Sequence, residues 1–93
     1  MTSREKLFHA VFGLSSEAGE VAGILQKVFQ GHDLDKDHLI KELGDCLWMI
    51  AEACEALGDT MGRVAEVNIW KLWERYPEGF SSDRSIHRKE GDI

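Results

Sequence analysis

Glu17-Ala18-Gly19-Glu20 and Glu42-Leu43-Gly44-Asp45 carry one pattern twice: an acid, two further residues ending in glycine, and a second acid three positions on from the first. On a helix, residues three apart are neighbours on one face. Each stretch therefore presents two carboxylates side by side. Like charges at that spacing repel, and no lysine stands four positions after Glu17 or Glu20 to relieve them. Two such pairs on successive helices, joined by a short loop, converge if the helices pack antiparallel. Their all-oxygen donor set suits a hard cation such as Mg2+. Taken alone, either pair also reads as an ordinary solvated helix face.

Working outward, the chain reads as helical. Leu7, Val11, Leu14, Ala18, Val21, Leu25 and Val28 alternate spacings of four and three, one apolar stripe on a first helix from about Arg4 to Phe29. Ser3 is the expected N-cap, and Gly31 suits a left-handed C-cap. A second helix runs from about Lys36 to Leu57, with Asp35 as N-cap, a stripe of Leu39, Leu43, Leu47, Ile50, Cys54 and Leu57, and Gly58 as its stop. A third opens near Asp59 or Thr60, places Met61, Val64, Ala65, Asn68 and Leu72 on one face, and ends before Pro77, which cannot continue a helix. Residues 78–93 read as a polar C-terminal tail of the same single domain, 1–93.

The first helix has a second face, where Ser15, Gly19, Ala22 and Gly23 cluster. Each glycine there costs about 1 kcal/mol of helix stability relative to alanine. Close approach of another helix is the simplest compensation. Three helices hardly bury both faces, so the expected architecture is an all-α antiparallel bundle, about three helices per chain, completed by homo-oligomerisation.

Bulk properties exclude several classes. A length of 93 residues fits one small domain. With 17 acids against 11 bases, the net charge of −6 argues against a broad basic face for nucleic acid. No apolar run approaches a membrane span and the N-terminus lacks a secretory h-region, so the expectation is a cytoplasmic protein with no membrane partner. Cys46 and Cys54 stand too far apart along one helix for a disulfide and read as free thiols. His9, His32, His38 and His87 show no catalytic arrangement and read as surface or capping residues. A di-iron bundle would need Glu-x-x-His pairs; carboxylates alone favour Mg2+ or Mn2+.

On the third helix, Asn68, Lys71 and Arg75 follow at spacings of three and four and share a face. An amide and two cations in a row suit phosphate oxygens, Arg75 offering a bidentate fork. Cations placed near a helix C-terminus for the dipole are the alternative.

Together, Glu17-Ala-Gly-Glu20-Val, Glu42-Leu-Gly-Asp45-Cys-Leu-Trp48 and Asn68-Ile-Trp-Lys71-Leu-Trp-Glu-Arg75-Tyr-Pro-Glu-Gly-Phe80 resemble the MazG-like nucleoside triphosphate pyrophosphohydrolases of the all-α NTP pyrophosphatase superfamily. The resemblance covers roughly Leu7 to Lys89. It implies cleavage of an NTP or dNTP between the α and β phosphates, giving a monophosphate and pyrophosphate, in a homodimer or homotetramer. It further implies Mg2+ held by Glu17, Glu20, Glu42 and Asp45, and phosphates met by Lys71 and Arg75 with Asn68 lining the site. Family members usually carry another helix ahead of the first one read here. The pocket is therefore expected to be completed by a neighbouring subunit, more open, or degenerate.

On this reading one glutamate, Glu17 or Glu20, takes a proton from the attacking water. Lys27 assists with the phosphates, and Trp48 either stacks on a base or packs in a core or interface. The runner-up is a nucleotide-binding or regulatory module of the same fold without turnover; a helical interaction protein whose acids are mere surface ranks third.

Overall fold

The computed structural model describes residues 1–79; the expectations for Phe80 and the rest of the tail, and for His87, lie outside them. Three helices follow in order: α1 (Ser3–Phe29), α2 (Lys36–Ala56) and α3 (Met61–Arg75). No strand occurs among the described residues.

The caps explain the boundaries. Thr2, not Ser3, caps α1. Its hydroxyl accepts from Glu5 N at 3.1 Å while the Glu5 carboxylate accepts from Thr2 N at 3.4 Å. This is the reciprocal box that a threonine followed by glutamate three positions on can form; Ser3 has Lys6 at that offset and no carboxylate to answer it. At the other end, His32 N donates to Lys27 O and Gly31 N to Val28 O, with Gly31 at φ +103°. That pairing is a Schellman close, which needs a residue tolerant of the left-handed region. Asp35 caps α2 as expected, accepting from His38 N at 3.1 Å. Gly58, at φ +70°, closes α2 as Gly31 closes α1.

α1 and α2 pack as an antiparallel hairpin: Gly13 lies against Met49, and Glu17 against Glu42 and Asp45. A β-carbon at Gly13 would stand 2.5 Å from Met49 Sδ, so a larger residue there requires the Met49 side chain to shift. Ala10 and Cys54 are buried in this seam.

The expected stripes turn inward only in part: Leu7, Leu14 and Val21 of α1 and Leu39, Ile50 and Cys54 of α2 do so, and the other members do not. On α1 the residues turned into the seam are Leu7, Ala10, Gly13, Leu14, Glu17, Val21 and Ile24, while Val11, Ala18, Leu25 and Val28 are exposed. On α2, Leu39, Glu42, Asp45, Cys46, Met49 and Ile50 turn inward, while Leu43, Leu47 and Leu57 are exposed. The seam thus lies off the centre of each stripe, toward small and acidic side chains, and part of the apolar stripe of both helices remains on the surface. The physical reason lies at Ala10 and Gly13, whose small size lets the helices close on that side.

The chain divides into two compact units, Met1–Met61 and Gly62–Ile93. In the second, Tyr76 N donates to Leu72 O and α3 ends at Arg75, just before Pro77. Asn68, Lys71 and Arg75 fall at i, i+3 and i+7 of this one helix, as expected.

Candidate functional site

The inward turn of Glu17, Glu42 and Asp45 makes the site. One carboxylate oxygen from each lies within 4.8 Å of the others, and all three residues are half-buried. α1 supplies Glu17 from the middle of its length; α2 supplies Glu42 and Asp45 from its first half, across the antiparallel seam. Glu20, one turn on from Glu17, is exposed and is not a member of this trio.

The electrostatics follow from the geometry. Glu17 is held above its ordinary pKa of 4.5. Loss of hydration in the seam is the largest cause, followed by a hydrogen bond with Glu42 and then by the charges of Asp45, Glu42 and Glu20. Gathering carboxylates while removing water disfavours the charged form. A cation placed among them would reverse that preference.

A groove of about 560 Å³ opens between α1 and the start of α2; Glu17, Glu42 and Asp45 do not line it, and it adjoins them through His38, 3.4 Å from Glu42. Glu20, Gly23 and Lys27 of α1 form one wall and His38 of α2 part of the other; Gln30, His32 and Asp33 close it at the interhelical loop. No atom stands within 4 Å of where a β-carbon on Gly19 or Gly23 would be, so the helix surface there is open. Lys27 and Glu20 thus line the same groove, two turns apart on α1. Trp48 is not among the groove's lining residues: it is 61% exposed and its Nε1 donates to Glu52 Oε1 at 3.2 Å.

Sequence reasoning missed one neighbour of the trio. His38 Nε2 lies 3.4 Å from Glu42 Oε1. The signal was present, since the two stand four apart on one helix, but a surface helix explains such a pair equally well.

A family model for the MazG nucleotide pyrophosphohydrolase domain matches residues 8–80. The chain belongs to the MazG nucleotide pyrophosphohydrolase family. The match spans both acid pairs and the Asn68–Arg75 segment of this MazG chain. A relative, the Gene 37 protein of Mycobacterium phage L5, is 32% identical over 95 aligned positions, covering 97% of the chain and 78% of the relative. That name states no activity. No solved structure matches significantly.

The donor set fits the divalent metal that MazG-family proteins typically use. Three carboxylates from two helices offer hard oxygen ligands and a net negative charge, with no sulfur among them. No helix among the described residues of this MazG chain is long and apolar enough to cross a membrane.

Proposed function

We propose that this chain is a Mg2+-dependent nucleoside triphosphate pyrophosphohydrolase, with Mn2+ able to substitute. It cleaves an NTP or dNTP between the α and β phosphates to a monophosphate and pyrophosphate, as a house-cleaning enzyme of the cytoplasmic nucleotide pool. The observation that carries the reading is the meeting of Glu17, Glu42 and Asp45 within 4.8 Å of one another, in a chain of this family. Three acids pressed together in a half-dry seam are unfavourable unless something cationic sits among them.

When bound there, a divalent cation supplies charge neutralisation and polarises phosphoryl oxygens. The chain's own residues do the rest. Glu17, Glu42 and Asp45 hold the ion in a fixed position. Glu20 lies outside the trio and on the groove wall; one of its carboxylate oxygens takes the proton of the attacking water. The water oxygen bonds to phosphorus at one end of the α–β bridge, and the bridging P–O bond breaks. Lys27, on the same wall, offers its ammonium to phosphate oxygens. The phosphate-holding roles of Lys71 and Arg75, and the site-lining role of Asn68, rest on the family's sequence pattern. So does assembly as a homodimer or homotetramer, which the exposed apolar stripes of α1 and α2 support.

The test is a panel of NTPs and dNTPs with Mg2+, assaying pyrophosphate separately from orthophosphate. Pyrophosphate and a monophosphate in equal amounts are expected. Orthophosphate as the first product overturns α–β cleavage.

A further inference from the structure

We infer that His38 is a positioning residue for Glu42, holding that carboxylate in the orientation in which it meets Glu17 and Asp45. The inference rests on the reading of the trio as a divalent-cation site. Three observations support it. His38 Nε2 lies 3.4 Å from Glu42 Oε1, close enough to become a hydrogen bond with a small rotation of either side chain. The two side chains differ in burial, Glu42 being 18% exposed and His38 53%, so the imidazole approaches the carboxylate from the wetter side. The backbone of His38 is itself pinned, its N–H donating to the Asp35 cap at 3.1 Å. The ring therefore projects from a fixed point one turn before Glu42.

The chemistry gives this contact a purpose. Glu42 shares the trio with Glu17 and Asp45, one oxygen of each within 4.8 Å of the others. Those two neighbours are acids, and in their ionised forms neither relieves the charge on Glu42. An N–H at His38 Nε2 gives Glu42 Oε1 a donor and restricts the rotamers the carboxylate can adopt. Neutral imidazole with its proton on Nε2 suffices, so no positive charge is required. Metal-binding carboxylates are commonly held in this way by a hydrogen-bonding partner, and loss of such a partner typically weakens metal affinity by about 10–100-fold. Because His38 is half in solvent, the lower end of that range applies. His38 also lines the groove, so a direct contact with the nucleotide is the rival role.

The experiment is Mn2+ binding to the full chain, read from the loss of the free-ion electron paramagnetic resonance signal, for wild type, His38→Ala, His38→Gln and Glu42→Gln. Helix content is checked by circular dichroism. The expected result is tight binding by wild type, a loss of about tenfold in His38→Ala, recovery of most of it in His38→Gln through the amide N–H, and the deepest loss in Glu42→Gln. His38→Ala binding Mn2+ as wild type does would overturn the inference, all the more if that variant instead weakens binding of a nucleotide. A deficit in His38→Ala that glutamine does not recover would overturn it too. A wild-type chain that does not bind Mn2+ would instead remove the cation-site reading on which this one stands.

Discussion

Glu17 is the side chain whose protonation reports on the whole cluster. Its pKa is raised on folding, so above the usual 4.5 the folded chain holds more proton than the unfolded one. The contribution of Glu17 to the stability of the metal-free chain is therefore fullest below 4.5 and is lost as pH rises through the folded value. Thermal melts across that window, with chelator present, should show the decline; saturating Mg2+ should flatten it, because an ion bound only by the folded state raises the melting temperature. Glu17→Gln should melt higher than wild type without metal and respond less to Mg2+. For the reaction, Glu42→Gln is expected to lower turnover by about 100-fold or more, since removing a ligand is worse than removing its partner. Turnover left intact by that change would refute the ligand role of Glu42. The acids are legible in the sequence because spacing on a helix is arithmetic. The split between Glu20 and the other three is not, because which of two residues on one helix face enters a seam depends on how far the neighbour is rotated. The 3.4 Å approach of His38 to Glu42 is equally hidden, since a four-residue spacing says only that two side chains can meet.

At the scale of elements, the glycines of α1 divide into two kinds. Gly13 is filled from outside by Met49, so Gly13→Leu should force the hairpin apart at a cost of about 2 kcal/mol or more. Gly19 has open space, so in the isolated chain Gly19→Ala should instead stabilise α1 by up to about 1 kcal/mol. Urea titrations of the two variants should move their midpoints in opposite directions. If they move together, the close approach at Gly13 is wrong. Helix ends are readable because a cap is a local contract: Asp35, Gly31, Gly58 and Pro77 each act within a turn. Thr2 displaces Ser3 as the cap of α1 because the answering carboxylate is Glu5, three positions after the threonine. The apolar stripes locate only half of the seam, Leu7, Leu14, Val21, Leu39, Ile50 and Cys54 among it, because periodicity shows which face is apolar but not what covers it. In this chain α2 covers the small and acidic side, and Leu25, Val28, Leu43 and Leu47 are left outside.

For the molecule as a whole, that surplus of apolar surface is the feature with the largest consequence. Phe12 is 69% exposed and Leu47 56%, while only Ala10 and Cys54 are buried among the described residues. A chain so short of core is expected to associate. Sedimentation should give a mass at least double the 10.5 kDa of one chain, and Leu47→Glu should shift it toward the monomer with a lower melting temperature. A wild-type chain that sediments as a folded monomer at micromolar concentration would count against assembly. The helical class is legible because apolar spacings of three and four recur from Leu7 to Leu72 and the one proline stands late, at Pro77. How many copies the chain joins is not written in any one helix.

The hairpin has a kinetic corollary. Its antiparallel closure cannot be completed without pressing Glu17 against Glu42 and Asp45. Electrostatic resistance is thus built into the closing of the two helices on each other. An ion lodged between them acts as a latch that must leave before the helices part. Stopped-flow unfolding should be slower with Mg2+ than with chelator, and the difference should vanish in Glu42→Gln.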